Sequence, residues 1–255
     1  MDLTDRVVLV TGAASGLGRA AAHAFAAHDV RAVVVNYRGR EVEAAAVVRE
    51  LNDLGREAWA VQADIRDDAA VRRMVDAVGS RYGRLDVLVN NAGMTHWVPV
   101  GDLDGLTDEK WHDILDVNLV GTFRCARAAA ALLAENNGAI VNLSSISGVL
   151  ALETASSIAY SASKSAIIAL TRSLAVALAP RVRVNAVAPA FTDTAWMRDH
   201  YGDAYDERVA RAGQAIPLGR IARPEDIAAA IVGLVTGGDF VTGQTLLVDG
   251  GLSIV

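Results

Sequence analysis

Val7-Val8-Leu9-Val10-Thr11-Gly12-Ala13-Ala14-Ser15-Gly16-Leu17-Gly18 is the stretch that decides the fold. Four consecutive apolar residues run into a glycine-rich turn, and the Ala-rich stretch Arg19 to Ala27 follows at once with helical periodicity. A strand that is apolar at every position is buried on both faces, so helices must cover both sides of its sheet. Gly12 can take the positive φ of a tight turn, Gly16 lets the backbone approach a bound group, and Gly18 allows close helix-on-sheet packing. The helix N-terminus then offers free N–H groups and partial positive charge to a pyrophosphate. The spacing is not G-x-G-x-x-G, and a turn of this kind also serves purely structural ends.

Outward from this turn the pattern repeats. Apolar, β-rich runs recur at Ala32 to Val35, Ala58 to Val61, Leu85 to Val89, Ala139 to Leu143, Val182 to Val187 and Thr245 to Val248. Helical stretches at Glu41 to Leu54, Ala69 to Tyr82, Trp111 to Leu133, Tyr160 to Leu178 and Pro224 to Val235 separate them. This βα alternation predicts an α/β fold with a doubly wound parallel sheet of seven strands and helices on both faces. A closed eight-fold barrel has similar length and alternation, but seven strands and a glycine-rich first turn argue against it. No linker, charge block or repeat divides the 255 residues, so one domain is expected over 1–255. The stretch from Phe191 to Ala222 lacks a strand signal and follows the sixth strand. It is a candidate substrate lid, with a surface helical excursion of no function as the alternative.

Composition narrows the function. A chain 52% hydrophobic and 21% charged can bury a substantial core. Its net charge of −6, with no basic cluster, speaks against a nucleic-acid partner or an anionic membrane. Cys125 is the single cysteine, which excludes an intrachain disulfide or a cysteine metal cage and fits a reducing cytoplasm. Met1 to Val10 has no basic region followed by a long apolar run, and no long uncharged stretch follows. His23, His28, His96, His112 and His200 show no metal-ligand spacing, so no metal site is expected.

The glycine turn, Asn90-Asn91-Ala92-Gly93 after the fourth strand, Asn118, Ser145 and Tyr160-Ser161-Ala162-Ser163-Lys164 together resemble the short-chain dehydrogenase/reductase family. The resemblance runs through to Val248-Asp249-Gly250-Gly251 and is nearest to the 3-oxoacyl-(acyl-carrier-protein) reductase branch. It implies a three-layer Rossmann fold, a nicotinamide dinucleotide and reversible hydride transfer between that cofactor and a carbonyl. By the same resemblance Tyr160 is the general acid/base, Lys164 lowers its pKa and binds the nicotinamide ribose, Ser145 polarises the carbonyl and Asn118 completes a proton relay through water.

The residues themselves allow this chemistry. Tyr160 and Lys164 are four apart in a helical stretch and rise from one face, although such pairs are also common on solvated helices. Lowering a tyrosine by about 3 pH units takes about 4 kcal/mol. One cation at ~4 Å in an effective dielectric near ~20 supplies that much. Ser145 follows the fifth strand directly, where a hydroxyl can reach a substrate oxygen. From Ser145 to Tyr160 is 15 residues, where many relatives have 13, and Ser147 would restore that spacing. Ser145 is preferred because Ile140 to Ser145 keeps the strand-end pattern, which puts the extra residues within Leu150 to Ser157, a loop expected to shape the substrate pocket.

The resemblance also lays a dinucleotide along Gly12, Ser15, Gly16, Leu17 and Gly18, then Asn36, Tyr37 and Arg38 at the end of the second strand. Asp64 and Ile65 would flank the adenine. Asn91, Ala92, Gly93, Tyr160, Lys164, Pro189, Thr192 and Thr194 would line the nicotinamide half. Asn36 stands where an NAD-selective relative has an acid, and Arg38 can fork onto a 2′-phosphate, so NADP is favoured. Ser15 stands where many NADP-using relatives carry a further basic residue, which leaves NAD open as a second cofactor. Ala190 replaces a glycine of the family. His96 and Trp97 are candidates to face substrate, as are Trp196 and Met197, although the segment through Arg211 also reads as one amphipathic helix. The expected activity is reduction of a ketone to a secondary alcohol by a homotetramer. The alternatives are a sugar, polyol or cyclic-alcohol dehydrogenase and, from another class, a non-catalytic dinucleotide sensor.

Overall fold

The computed structural model describes residues 1–152 and 155–255. Seven strands, β1 (Val7–Val10), β2 (Ala32–Tyr37), β3 (Glu57–Gln62), β4 (Val87–Asn90), β5 (Ala139–Leu143), β6 (Arg183–Pro189) and β7 (Thr245–Val248), form one sheet. Their order is β3-β2-β1-β4-β5-β6-β7, with every pairing parallel. The chain winds outward from β1 to β3 and then returns to the other side of β1. The carboxyl ends of β1 and β4 therefore flank the point where the winding reverses, which is where open parallel sheets bind ligands.

Alternate residues of each strand feed two different cores, because successive side chains point to opposite faces. Val8, Val10, Val33, Val35, Val87 and Val89 pack under α1 (Gly16–Ala26), α2 (Glu41–Asp53) and α9 (Pro224–Thr236). Val7, Leu9, Val34, Leu88 and Ile140 pack under α3 (Asp68–Tyr82), α5 (Thr122–Glu135) and α6 (Ile158–Leu178). This is the doubly wound three-layer arrangement that continuous apolar strands require, and its open sheet excludes the closed barrel.

Three boundaries differ from the sequence expectation for physical reasons. β4 begins at Val87 rather than Leu85, because Asp86 is fully buried as an acceptor for Arg6, Arg84 and the Val7 N–H rather than as a strand residue. The expected Trp111 to Leu133 helix is α4 (Asp108–Leu115), a π-helical turn over Asp116–Gly121, and α5. Together these are long and apolar enough to cross a bilayer, but Cys125, Ala126, Ala129 and Leu133 are buried in the core under the sheet. Finally, Phe191 to Ala222 holds α7 (Ala195–Tyr201) and α8 (Tyr205–Ala215), not one amphipathic helix, because Gly202 breaks it at φ +48°. Its two ends are tied together by Asp193 N–H to Ala222 O and Ala222 N–H to Phe191 O, at 2.9 and 3.0 Å.

Candidate active site

A cavity of about 1170 Å³ opens at the carboxyl ends of the strands, and the glycine turn forms one wall of it. Gly12 has φ +63°, and a Cβ there would lie 3.0 Å from the Ala92 Cα. A Cβ on Gly18 would lie 2.9 Å from the Ala13 Cα, so this backbone contact excludes any side chain. The turn is latched to β4: the Asn91 amide donates to the Thr11 and Gly12 carbonyls at 2.8 and 3.1 Å, and Thr11 Oγ1 accepts the Asn91 and Ala92 N–H groups. Asn90 serves the sheet instead, donating to Asn142, whose amide donates on to Thr171.

The N-terminus of α1 suits an anion. Ser15 occupies its N-cap position but makes no side-chain cap bond, and the first turn holds no acid. By contrast Asp67, Thr107, Ser157 and Thr194 cap α3, α4, α6 and α7 with their side chains. The first N–H groups of α1 thus keep their donors for a ligand, the arrangement a pyrophosphate needs. Gly12, Ser15, Gly16 and Leu17 all line the cavity, whereas Gly18 acts by packing.

At the end of β2, Tyr37 and Arg38 line the cavity, and so does Asn36. Asn36 is nevertheless 1% exposed, accepting the Gly12 N–H and donating to the Val61, Ala63 and Tyr37 carbonyls. It ties the ends of β1, β2 and β3 together. Asp64 and Ile65 also line the wall, with the Asp64 carboxyl held below the usual range by its hydrogen bonds from Arg66 and, more weakly, by Arg38. The sequence reading missed Arg40, which lines the cavity and donates to Ser15 Oγ at 3.2 Å. It lies two residues beyond Arg38 and carries no motif, so only the fold brings it to the glycine turn.

Across the cavity, β5 runs into Ser144 and Ser145, and α6 is capped by Ser157, whose hydroxyl accepts the Tyr160 N–H at 3.2 Å. This start sets Tyr160 and Lys164 on the helix face that looks into the cavity. Ser144 Oγ donates to the Lys164 carbonyl, and Lys164 Nζ donates to the Leu143 carbonyl at 2.7 Å. Ser145 and Ser147 both line the cavity, and Ser145 Oγ accepts the Ser147 N–H at 3.2 Å. The loop expected to shape the pocket does so through Leu152, Ala155 and Ser156, while residues 153 and 154 lie outside the described residues.

Asn118 reaches this group through the π-helical turn, whose extra residue swings it inward. It is 1% exposed; its amide donates to Met94 O and Ser163 Oγ, and its Oδ1 accepts the Met94 N–H at 2.8 Å. A Cβ on Gly93 would lie 3.3 Å from Asn118 Oδ1 and 3.6 Å from Lys164 Nζ, which measures how closely the three meet. At the outer end Trp196 stands edge-on to Tyr160 and tilted against Trp97, with ring centroids 6.3 and 5.8 Å apart. Pro189, Thr192, Thr194 and Met197 line this end. The Thr192 hydroxyl already donates to the Ala190 carbonyl, and Thr194 is the α7 cap. His96 does not join the cavity wall; it lies 3.1 Å from Asp113.

Burial governs the titration of the central pair. It pushes the Tyr160 phenol up to about 12, with the Ser145 hydroxyl pulling the other way, and it lowers the Lys164 ammonium to about 8. Lys164 Nζ sits 5.5 Å from the tyrosine ring centroid. At neutral pH Tyr160 is a protonated phenol, a proton donor, beside a charged ammonium. Holding that ammonium costs the fold roughly 3 kcal/mol at pH 7, offset in part by the Leu143 bond. The folded value lies below the unfolded one, so the penalty is full below pH 8 and fades as pH rises toward 10.5. Lys164→Met is therefore expected to raise Tm at pH 7, with the gain over the wild type shrinking between pH 8 and 10.5 in parallel thermal melts. A pH-independent difference would show that burial of the charge is not its source.

The comparisons with known proteins bear on the family and the fold. A family model described as enoyl-(acyl carrier protein) reductase matches residues 12–253. A protein of Streptomyces violaceoruber, named as ketoacyl reductase 2 of the granaticin polyketide synthase, is 43% identical over 98% of this chain and 96% of its own. The 3-oxoacyl-(acyl-carrier-protein) reductase FabG of Staphylococcus aureus is 39% identical over 96% of both. The solved ligand-free aldohexose dehydrogenase of Thermoplasma acidophilum is 31% identical, with a TM-score of 0.85 over 99% of this chain and 96% of its own. With a family match over nearly the full length and a Rossmann sheet that carries the family's motifs on one cavity, the chain belongs to the short-chain dehydrogenase/reductase family, oxidoreductases that act on hydroxyl and carbonyl groups with a nicotinamide dinucleotide.

Proposed function

We propose that this chain is an NADP(H)-preferring carbonyl reductase that interconverts a ketone and a secondary alcohol, with a 3-oxoacyl thioester as its leading substrate class. The observation that carries this reading is the meeting of Tyr160, Lys164 and Ser145 on the cavity wall opposite the uncapped N-terminus of α1. The ketoacyl reductase names of two relatives support the thioester.

The chain's own groups divide the work. The α1 N-terminus and glycine turn hold the pyrophosphate, Asp64 and Ile65 flank the adenine, and Lys164 faces the nicotinamide ribose. The bound dinucleotide supplies the hydride. Ser145 donates a hydrogen bond to the substrate oxygen, and Tyr160 gives its phenolic proton to that oxygen as negative charge develops there. A phenol held protonated by burial suits this direction. Lys164 keeps a positive charge beside the phenol as it loses its proton, which is when the attraction counts most. Asn118 is a positioning residue: three of its hydrogen-bonding positions are committed to Met94 and Ser163, which fixes the loop beside Lys164.

Arg38 and Arg40 together supply the cationic end for a 2′-phosphate, and Arg40 beside Ser15 fills the place left by the missing basic residue. Arg38→Asp and Arg40→Asp are each expected to lower the ratio of kcat/KM for NADPH over NADH at least tenfold. An unchanged ratio in both withdraws the phosphate assignment. The assembly reading is a homotetramer, supported by the apolar side chains Val176, Phe240, Ile254 and Val255 that one chain leaves in solvent. Light scattering is expected to give four times the chain mass.

The aldohexose dehydrogenase likeness keeps a sugar or polyol dehydrogenase as the second reading. A carbonyl and alcohol panel assayed in both directions with NADH and NADPH decides between them. Tyr160→Phe should bind dinucleotide and lose turnover at least a hundredfold. Ser145→Ala should lose at least tenfold and Ser147→Ala much less; the reverse ranking overturns the serine assignment. NADPH binding without turnover anywhere in the panel would instead support a dinucleotide sensor.

A further inference from the structure

The residues that line the cavity carry a charge pattern opposite to that of the whole protein. The chain has a net charge of −6, yet the described lining residues include five cations, Arg38, Arg40, Lys164, Arg208 and Arg211, and a single acid, Asp64. Asp64 is committed to Arg66 by bonds as short as 2.7 Å. Arg38 and Arg40 sit at the dinucleotide end and Lys164 beside Tyr160. Arg208 and Arg211, both on α8, have no part in the reading so far.

Their position is set by a chain of ring contacts. Tyr160 meets Trp196, Trp196 meets Trp97, and Trp97 meets Tyr201 with centroids 6.0 Å apart. The Arg208 guanidinium lies 5.2 Å from the Tyr201 centroid. Arg211 is one helical turn further along the same face of α8, since residues three apart are neighbours on a helix. The two guanidiniums therefore stand at the outer, substrate end, beyond an aromatic wall that starts at the candidate acid.

They also differ from the other arginines of this excursion. Arg198 pairs with Asp193, and Arg220 with Asp226. Among the described residues Arg208 and Arg211 make neither an ion pair nor a hydrogen bond, although Glu207 precedes Arg211 by one turn. Two exposed guanidiniums at a cavity mouth keep all their donors for a ligand, and their planar forks match carboxylate or phosphate oxygens.

We infer that Arg208 and Arg211 form an anion clamp that selects ketones carrying a carboxylate or phosphate at the end of the molecule remote from the reacting carbonyl. The inference rests on the carbonyl-reductase reading for where the carbonyl lies. The aromatic wall of Trp196, Trp97 and Tyr201 then covers the apolar middle of such a substrate, and the clamp fixes its direction, which sets the carbonyl face presented to the dinucleotide.

Two matched pairs of ketones test the clamp and separate its two anion sources. 4-Acetylbenzoate against its methyl ester reads a carboxylate. Acetoacetyl-CoA against S-acetoacetyl-N-acetylcysteamine reads the phosphates of a carrier arm. The wild type should prefer the anionic member of at least one pair tenfold or more in kcat/KM, mainly through KM. Arg208→Gln with Arg211→Gln should reduce that ratio at least tenfold, and the paired Lys substitutions should restore part of it. Binding is read independently by quenching of tryptophan fluorescence, since Trp97 and Trp196 line the cavity. The anionic member of that pair should bind at least tenfold tighter than its neutral partner, and the double Gln variant should lose the difference. If neither pair shows an anion preference in turnover or binding, or if the preference survives in the double Gln variant, the clamp is wrong. Turnover of the neutral members would then still uphold the reductase reading. If no ketone turns over but the Arg-dependent anion binding remains, the clamp stands and the reductase reading falls.

Discussion

An ammonium buried to 5% exposure with one carbonyl as its recorded acceptor is the constraint on which the site depends. A lysine in such a place resists charge, and its fall to about 8 measures that resistance. The fold tolerates it because α6 is anchored around it: Ser157 caps the helix, Ser144 binds the Lys164 carbonyl, and Leu143 at the end of β5 accepts Nζ. The same burial raises the Tyr160 phenol. Stability is given up at the point where chemistry needs a desolvated charge, a trade common to active sites.

Buried amides do for the backbone what Lys164 does for the charge. Asn36 ties the ends of the first three strands, Asn91 ties the glycine turn to β4, Asn118 ties the loop after β4 to the π-helical turn, and Asn142 crosses from the sheet to α6. Each presents both a donor and an acceptor to peptide groups or hydroxyls where regular pairing stops. The cavity floor is consequently rigid at the strand ends, while its outer wall is the excursion of α7 and α8, joined to the floor by the short neck at Phe191, Asp193 and Ala222.

Much of the fold was legible because continuous apolar strands separated by helical periods admit few arrangements. Boundaries failed where a polar residue was buried for a tertiary reason, as with Asp86, or where a helix changed its period, as at Asp116–Gly121. The reading of Tyr160, Lys164, Ser145 and Asn118 as one group rested on motifs and spacing, and the structure does bring them to one place. Asn36 was read as a cofactor contact from its position alone, whereas its side chain is turned into the strand ends. Arg40, Arg208 and Arg211 escaped notice because an isolated arginine in sequence looks like any solvated one.

By itself the sequence determined the doubly wound sheet, the glycine turn at the head of α1 and the helical Tyr160–Lys164 pairing, because each follows from local periodicity or from backbone sterics within a few residues. Only the tertiary structure decided which cations face the cavity, how strongly burial shifts Tyr160 and Lys164, and which amides are spent on the backbone. Those depend on desolvation and on partners brought from distant segments, and neither quantity is a property of neighbouring residues in the chain.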